Sequence, residues 1–293
     1  MPTDQSHAAT RAAEIRVSAA AATRSHSESF TAADSSGAQR LPHGWATHRL
    51  TSVKLTVVGC SPAWPNPGGA QSGYLLDGPG RLLVDCGPGV LARLRETTIW
   101  PEVDAIAITH WHLDHWGDLV PWVWGSMYGP GNGAGKPQLW IPTGGSEVLA
   151  IVAARLGQDS MFAGAFDVSE YRDGEPFEAA GFEVVPHRVL HYELLAFGFR
   201  ITANGRTLGY SGDSGPSDAL PELARDADLF LCEATIEADG STEGDPRGHL
   251  APNEAIDAFE RSGARRLLLT HRPVERPLQN GLEQAYDGLE LDV

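Results

Sequence analysis

Lysine is almost missing from this chain of 293 residues: Lys54 and Lys136 occur, and every other basic residue in the count is an arginine. The 22 basic side chains face 38 acidic ones, for a formal net charge of −16. That balance argues against non-specific adhesion to nucleic acid or anionic lipid, which needs clustered cations. Cysteine is scarce too. Cys60, Cys86 and Cys232 are odd in number and form no CxxC pair, which excludes a disulfide framework and a thiolate zinc site and leaves free thiols in a reducing cytoplasm as the expectation. No apolar run reaches the roughly 18 residues that a membrane-spanning helix needs. A basic-then-apolar-then-small leader is also missing, so no signal peptide is expected.

What remains is ample for a core. Hydrophobic residues make up 42% of the chain, and 33 Gly with 20 Pro mark it as loop-rich without being of low complexity. Residues 1–48 differ from the rest: Ala, Ser and Thr dominate, and a run such as Ser18 to Ala22 offers no large apolar side chain to bury. We read them as a flexible tail, with at most a weak Ala-rich helix around Ala8–Ala22 and with His7, His26, His43 and His48 as solvated bystanders. Residues 49–293 form the folded domain. Strands are expected at Leu55–Val58, Gly73–Leu76, Arg81–Val84, Ala105–Thr109, Phe182–Pro186, Ala196–Thr202, Thr207–Ser211, Leu229–Cys232 and Arg266–Thr270. Helices are expected at Val90–Arg95, Leu119–Tyr128, Ser146–Leu156, Asp218–Asp226 and Pro252–Arg261. Early hairpins, one around Asp77-Gly78, give way to alternating helices and strands, which indicates an α/β protein with mixed sheets.

The informative segment is Thr109-His-Trp-His-Leu-Asp-His-Trp-Gly117. His110, His112, Asp114 and His115 crowd together directly after an apolar strand. Grouping unpaired imidazoles and a carboxylate costs free energy unless something binds them, and these are ligand types that suit divalent zinc, manganese or iron. Partners belong at other strand ends: His191 after Phe182–Pro186, Asp213 after Thr207–Ser211, and His271 after Arg266–Thr270. His187, four residues before His191, is the rival for that position.

From about Leu50 to Arg276 the sequence resembles the metallo-β-lactamase superfamily, whose HxHxDH signature is matched by His110–His115 without gaps. The resemblance implies an αβ/βα four-layer sandwich with two mixed β-sheets and the metals at the edge where the sheets meet. It implies two zinc ions, with manganese or iron as alternatives. One is held by His110, His112 and His191, the other by Asp114, His115 and His271, and Asp213 bridges them. Asp85 resembles the superfamily's structural aspartate. Within the superfamily, Leu231-Cys-Glu-Ala-Thr235 and Gly248-His-Leu-Ala-Pro252 resemble motifs of the ribonuclease Z-like phosphodiesterases. On that resemblance Asp114, Glu233 and His249 are the catalytic candidates. A departing alkoxide needs a proton, and a non-ligand His249 oriented by Glu233 fits general acid work.

Enzymes of that branch acting on transfer RNA precursors carry a long arm between the third-motif histidine and the bridging aspartate. Here His191 to Asp213 leaves room for two strands and a turn at Asn204-Gly205. Together with the lack of a basic patch, this favours a small phosphodiester over nucleic acid. Gly59-Cys-Ser61, Ser72-Gly-Tyr-Leu-Leu76 and Tyr210-Ser-Gly-Asp-Ser-Gly215 resemble an actinobacterial-type group of cyclic-nucleotide phosphodiesterases. The expected reaction is therefore hydrolysis of a 3′,5′-cyclic nucleotide, cAMP-like, to the 5′-monophosphate in the cytoplasm. The resemblance alone allows a homodimer. The competing readings are a transfer RNA 3′-endonuclease, a thioester or lactone hydrolase, and a metal-stabilised interaction protein without catalysis. Trp122 and Trp124 read as core, and Trp111, between two ligand candidates, as a wall on which a nucleobase stacks. Gly129–Gly135 lacks the spacing of a phosphate-cradling loop.

Overall fold

The computed structural model describes residues 52–97, 99–237, 246–278 and 281–293. The expectations for residues 1–48 lie outside the described residues. Two sheets face each other. The first runs in the order β13-β1-β2-β3-β4-β5-β6, from β1 (Lys54–Gly59), β2 (Gly73–Asp77), β3 (Arg81–Val84), β4 (Ala105–Ala107), β5 (Gln138–Pro142), β6 (Asp167–Tyr171) and β13 (Glu290–Asp292). The second runs β12-β11-β10-β9-β8-β7, from β7 (Phe177–Ala179), β8 (Phe182–His191), β9 (Leu194–Ala203), β10 (Arg206–Tyr210), β11 (Leu229–Glu233) and β12 (Leu267–Thr270). Both sheets mix parallel and antiparallel pairs.

Alternation along the strands explains the layering. In β3, Leu82 and Val84 enter the core between the sheets, while Leu83 points to the outer face. In β11, Leu229 and Leu231 point inward, and Phe230 and Cys232 outward. A strand buried on both faces reads as a continuous apolar run, which is what these segments are. The outer face of the first sheet is covered by α1 (Val90–Glu96), α3 (Leu119–Tyr128), α4 (Gly145–Arg155) and α5 (Met161–Ala165). That of the second sheet is covered by α6 (Ala219–Leu223) and α7 (Pro252–Ser262). The result is the four-layer αβ/βα sandwich. No helix among the described residues is long and apolar enough to cross a membrane.

Several expected elements change length. β8 continues through Pro186 to His191, so His191 closes the strand rather than following it. β4 stops at Ala107, which leaves Thr109 in the loop. The α6 helix keeps only Ala219–Leu223 of the expected Asp218–Asp226. The first hairpin turns through Gly78-Pro79-Gly80, where the Gly78 N–H donates to the Gly80 carbonyl at 3.0 Å. Strands β5, β6, β7 and β13 and helix α5 were not expected. Three-residue strands carry too little periodicity to read, and β6 (DVSEY) places polar side chains on an exposed edge.

This topology positions the site. Strands β3, β4, β8, β10, β11 and β12 all end at one edge of the sandwich; His191 and Glu233 are the last residues of β8 and β11, and the loops after the other four carry Asp85, His110, Asp213 and His271. The C-terminal strand edge is where α/β sheets ordinarily build their sites. A short helix, α2 (Leu113–Trp116), holds Asp114 and His115 there. It is clamped by the loop after β3: Cys86 N–H donates to the His115 carbonyl at 2.7 Å. Gly87 passes so close that a Cβ would stand 1.9 Å from the Asp114 carbonyl oxygen, so no side chain fits there.

Candidate metal centre

Two groups of side chains converge at this edge. His110, His112, His191 and Asp213 form one, and Asp114, His115, Asp213 and His271 the other, with ligand atoms within 4.8 Å of one another in each. Asp213 belongs to both. The contacts inside the groups are near misses. His115 Nε2 stands 3.3 Å from Asp213 Oδ2 and 3.4 Å from Asp114 Oδ2, and His110 Nε2 stands 3.9 Å from Asp213 Oδ2. Among the described residues His110 Nε2, His115 Nε2 and Asp213 Oδ1 are buried without a hydrogen-bond partner. Donor atoms about 2.0–2.1 Å from a tetrahedral ion lie roughly 3.3–3.4 Å from each other. Buried polar atoms that miss one another at this spacing are aimed at a common point, and the residues present fit metal ions.

Hydrogen bonds on the far side of each ring decide which nitrogen points inward. Asp85 Oδ2 accepts from His115 Nδ1 at 2.8 Å, and Asp85 also accepts from Thr109 N at 2.8 Å and from the Tyr210 hydroxyl at 2.9 Å. Thr109 Oγ1 donates to Asp85 at 3.0 Å and stands 3.1 Å from His110 Nδ1. Its single proton is spent on the carboxylate, so His110 Nδ1 carries the proton of that second contact. His191 Nδ1 donates to the Gly248 carbonyl at 2.6 Å. Thr235 Oγ1 lies 2.8 Å from both Glu233 Oε2 and His271 Nδ1. With the hydroxyl donating to Glu233, His271 Nδ1–H donates to the hydroxyl. In all four rings Nδ1 is engaged on the far side, and Nε2 is the nitrogen that faces the cluster. His191 Nε2 and His112 Nδ1 approach to 2.8 Å. Asp85 and His271 hold backbone φ values of +59° and +55°, a strain that packing pins at functional sites.

Burial holds His110 well below the ordinary imidazole range, and it lowers His112 and His191 as well. His115 goes the other way: burial would lower it, but the Asp213 and Asp85 carboxylates hold it well above that range. Burial works to raise Asp114 and Asp213. Hydrogen bonds from His115 and His271 outweigh it at Asp114, and the charges of His115 and His271 outweigh it at Asp213, so both carboxylates stay well below theirs.

Beside the cluster stands a second pair. Glu233 Oε1 accepts from His249 Nδ1 at 2.9 Å and from Ser214 N at 2.8 Å, while Oε2 accepts from Thr235 N at 3.1 Å and Leu250 N at 3.3 Å. Glu233, His249 and His271 also lie close enough to hold an ion. Both Glu233 oxygens, however, already accept two or more hydrogen bonds, one of which holds the His249 ring by Nδ1. The His249 ring stacks on His271 at 5.7 Å and lines a cleft of about 470 Å³ together with His112, Asp114 and Asp213.

Comparison with known proteins agrees with this arrangement. Residues 80–272 match the model of the Beta-lactamase superfamily domain. The chain belongs to this superfamily. It is 37% identical over 257 residues to the protein Rv1339 of Mycobacterium tuberculosis, covering 85% of this chain and 92% of that one. It is 32% identical over 222 residues to the probable metallo-hydrolase YhfI of Bacillus subtilis, covering 75% of this chain and 87% of that one. The crystal structure of YhfI superposes with a TM-score of 0.71 at 25% identity, covering 83% of this chain and all of that one. A ribonuclease Z of Myxococcus xanthus is 26% identical over 309 residues, covering 83% of this chain and 99% of that one. As a superfamily member with such relatives, the chain is a metal-dependent hydrolase.

In this β-lactamase-superfamily site the structure brings together His110, His112, Asp114, His115, His191, Asp213 and His271, with Glu233 and His249 at their flank. His187 lies earlier in β8 and in neither metal group. Trp111 requires a correction. Its ring packs on Trp116 at 5.4 Å and, half-buried, against the apolar cluster on the outer face of the first sheet, and it does not line the cleft of about 470 Å³. Trp122 is buried there too, and Trp124 stacks on Tyr128. Sequence reading missed Thr109, Tyr210 and Thr235, whose hydroxyls hold the carboxylates that orient the rings; lone hydroxyls carry no spacing signal. Asp85→Asn puts an amide where His115 Nδ1–H, Thr109 and Tyr210 all donate. We expect metal affinity to fall about 10–100-fold, read by chelator competition.

Proposed function

We propose that this chain is a phosphodiesterase using two metal ions, zinc in the first instance, that hydrolyses a 3′,5′-cyclic nucleotide to the 5′-monophosphate. The observation that carries the reading is the Glu233–His249 pair. An imidazole outside the two groups that share Asp213, bonded through Nδ1 to a buried carboxylate, faces the same cleft as Asp114 and Asp213. Thioester cleavage expels a stable thiolate and has less need of such an acid; loss of a basic alkoxide from phosphorus requires one. On this reading His110, His112 and His191 hold one ion, Asp114, His115 and His271 the other, and Asp213 serves both. Metal ions bound there would offset charge on the phosphoryl oxygens and lower the pKa of a water. Hydrolysis joins the water oxygen to phosphorus, breaks the P–O3′ bond and leaves the proton on O3′. His249 supplies that proton, and the Glu233 carboxylate stabilises the charged ring beforehand.

A small substrate is supported by the His191–Asp213 interval, which holds only β9, β10 and their connections. Nothing there extends from the sandwich to clamp a folded RNA. The test is a panel with the zinc-loaded protein: 3′,5′-cAMP, 3′,5′-cGMP, bis(p-nitrophenyl) phosphate and a precursor transfer RNA. We expect turnover of a cyclic nucleotide that varies little with salt. Activity on the generic diester but on neither cyclic nucleotide overturns the substrate and keeps the chemistry. Cleavage of the RNA, with a steep salt dependence, puts the endonuclease reading in its place.

A further inference from the structure

His249 stands between two clefts. The first, about 470 Å³, contains the metal-group atoms of His112, Asp114 and Asp213. The second, about 320 Å³, is walled by Trp64, Tyr192, Ile236, Arg276 and His249, and by His271 of the second metal group. Its volume is at the small end of the range for small-molecule sites. Three features of its wall are chemical rather than merely apolar. Trp64 is 48% exposed, whereas Tyr192 across the same cleft is half-buried. Tyr192 is seated by its neighbours: at φ +51° it turns back beside His191, and its ring lies against Gly248, where a Cβ would stand 2.2 Å from a ring carbon. Arg276 holds its guanidinium by Nη1 to the Thr235 carbonyl at 3.1 Å, with Glu237 at 3.8 Å, so it faces the cleft in a fixed place and offers only donors.

We propose that this second cleft is the subsite for the departing alcohol, and that it takes a nucleoside: the base stacks on Trp64 and Tyr192, and Arg276 donates to an acceptor nitrogen or carbonyl on its edge. The assignment rests on the phosphodiesterase reading through one step. The oxygen that receives the proton lies beside His249, so the group it carries enters a cleft that His249 lines. The first cleft is taken by the phosphoryl group among Asp114, Asp213 and His112, which leaves the second. Aromatic faces accept any base, so the subsite demands a planar ring with acceptors rather than one particular nucleobase.

Removing the base from the substrate tests this directly. With the zinc-loaded protein, cAMP is compared with the base-free ribose 3,5-cyclic phosphate. We expect the wild type to prefer cAMP by roughly 10-fold or more in kcat/KM, mostly through KM. Trp64→Ala and Arg276→Ala are each expected to erode that preference, and together to bring it close to one, with folding checked by circular dichroism. A preference unmoved by both substitutions overturns the subsite. A second readout is independent of turnover. Adenosine carries no phosphorus and makes no demand on the metal centre; its binding is expected to quench tryptophan emission saturably in wild type and distinctly less in Trp64→Phe. Quenching with no hydrolysis of any diester keeps the nucleoside subsite and overturns the phosphodiesterase reading. Hydrolysis of cAMP with no quenching that depends on Trp64 does the reverse.

Discussion

Replacing His249 with alanine is expected to lower kcat for an alkyl phosphodiester by roughly 10²–10⁴-fold, while a p-nitrophenyl ester loses far less. An alkoxide is too basic to leave without a proton, whereas p-nitrophenolate departs as the anion. The difference between the two substrates therefore isolates proton donation from binding. The substitution is clean on the protein side. Glu233 Oε1 loses the His249 contact and keeps the Ser214 N–H at 2.8 Å, so no carboxylate oxygen is stranded. Glu233→Gln is the poorer probe, because an amide NH₂ would face donors on either side of the buried group. The measurement is kcat for both esters, with metal content followed in parallel. Equal losses for the two esters would show that His249 does not protonate the leaving group. Unimpaired thioester or lactone cleavage by the variant, with no diester activity in the parent, would favour acyl chemistry.

The residues that could be read in advance were those whose grouping costs free energy without a ligand. His110, His112, Asp114 and His115 fall within one short stretch after an apolar strand, and few other forces assemble them. His191, Asp213 and His271 were legible only because each comes at or just past a strand, and strand ends meet at one edge in this architecture. Here the exact end of β8 did not matter. The inward nitrogen of each ring was not legible, since it depends on acceptors distant in sequence: Gly248 for His191, Asp85 for His115, Thr235 for His271. The aromatic wall was misplaced for a related reason. Proximity in sequence put Trp111 between two cluster histidines, but the extended loop alternates its side chains, and the indole turns down onto Trp116 and the apolar layer. Trp64 and Arg276, which do line a cleft, come from loops far apart in the chain and share no periodic pattern.

Chelation is expected to destabilise the protein by several kcal/mol, and acid to do the same through the metal. A ligand at about 1,000 times its Kd adds roughly 4 kcal/mol to the folded state; for a domain of this size that is a Tm shift of about 8–16 °C. Asp213→Asn keeps the shape of the carboxylate common to both groups and removes its charge, so we expect bound metal per chain to fall by half or more and diester hydrolysis with it. The proton balance has a definite sign. At neutral pH His110, His112 and His191 are held neutral by burial, whereas His115 is held protonated by Asp213 and Asp85. A cation at His115 Nε2 must expel that proton, so affinity rises with pH until the raised His115 value is passed. In the metal-free protein the His115 contribution is fully present below the ordinary imidazole value of about 6.5 and is lost as pH rises through its raised one. The three lowered imidazoles act oppositely and cost stability as pH falls below about 6.5. Metal-loaded and metal-free Tm values should accordingly converge in acid and separate above neutrality. Calorimetric zinc titration in two buffers of different ionisation enthalpy counts the proton released. Release of none at pH 7 would mean that His115 is already neutral before the ion binds, with its one proton on the Nδ1 that faces Asp85.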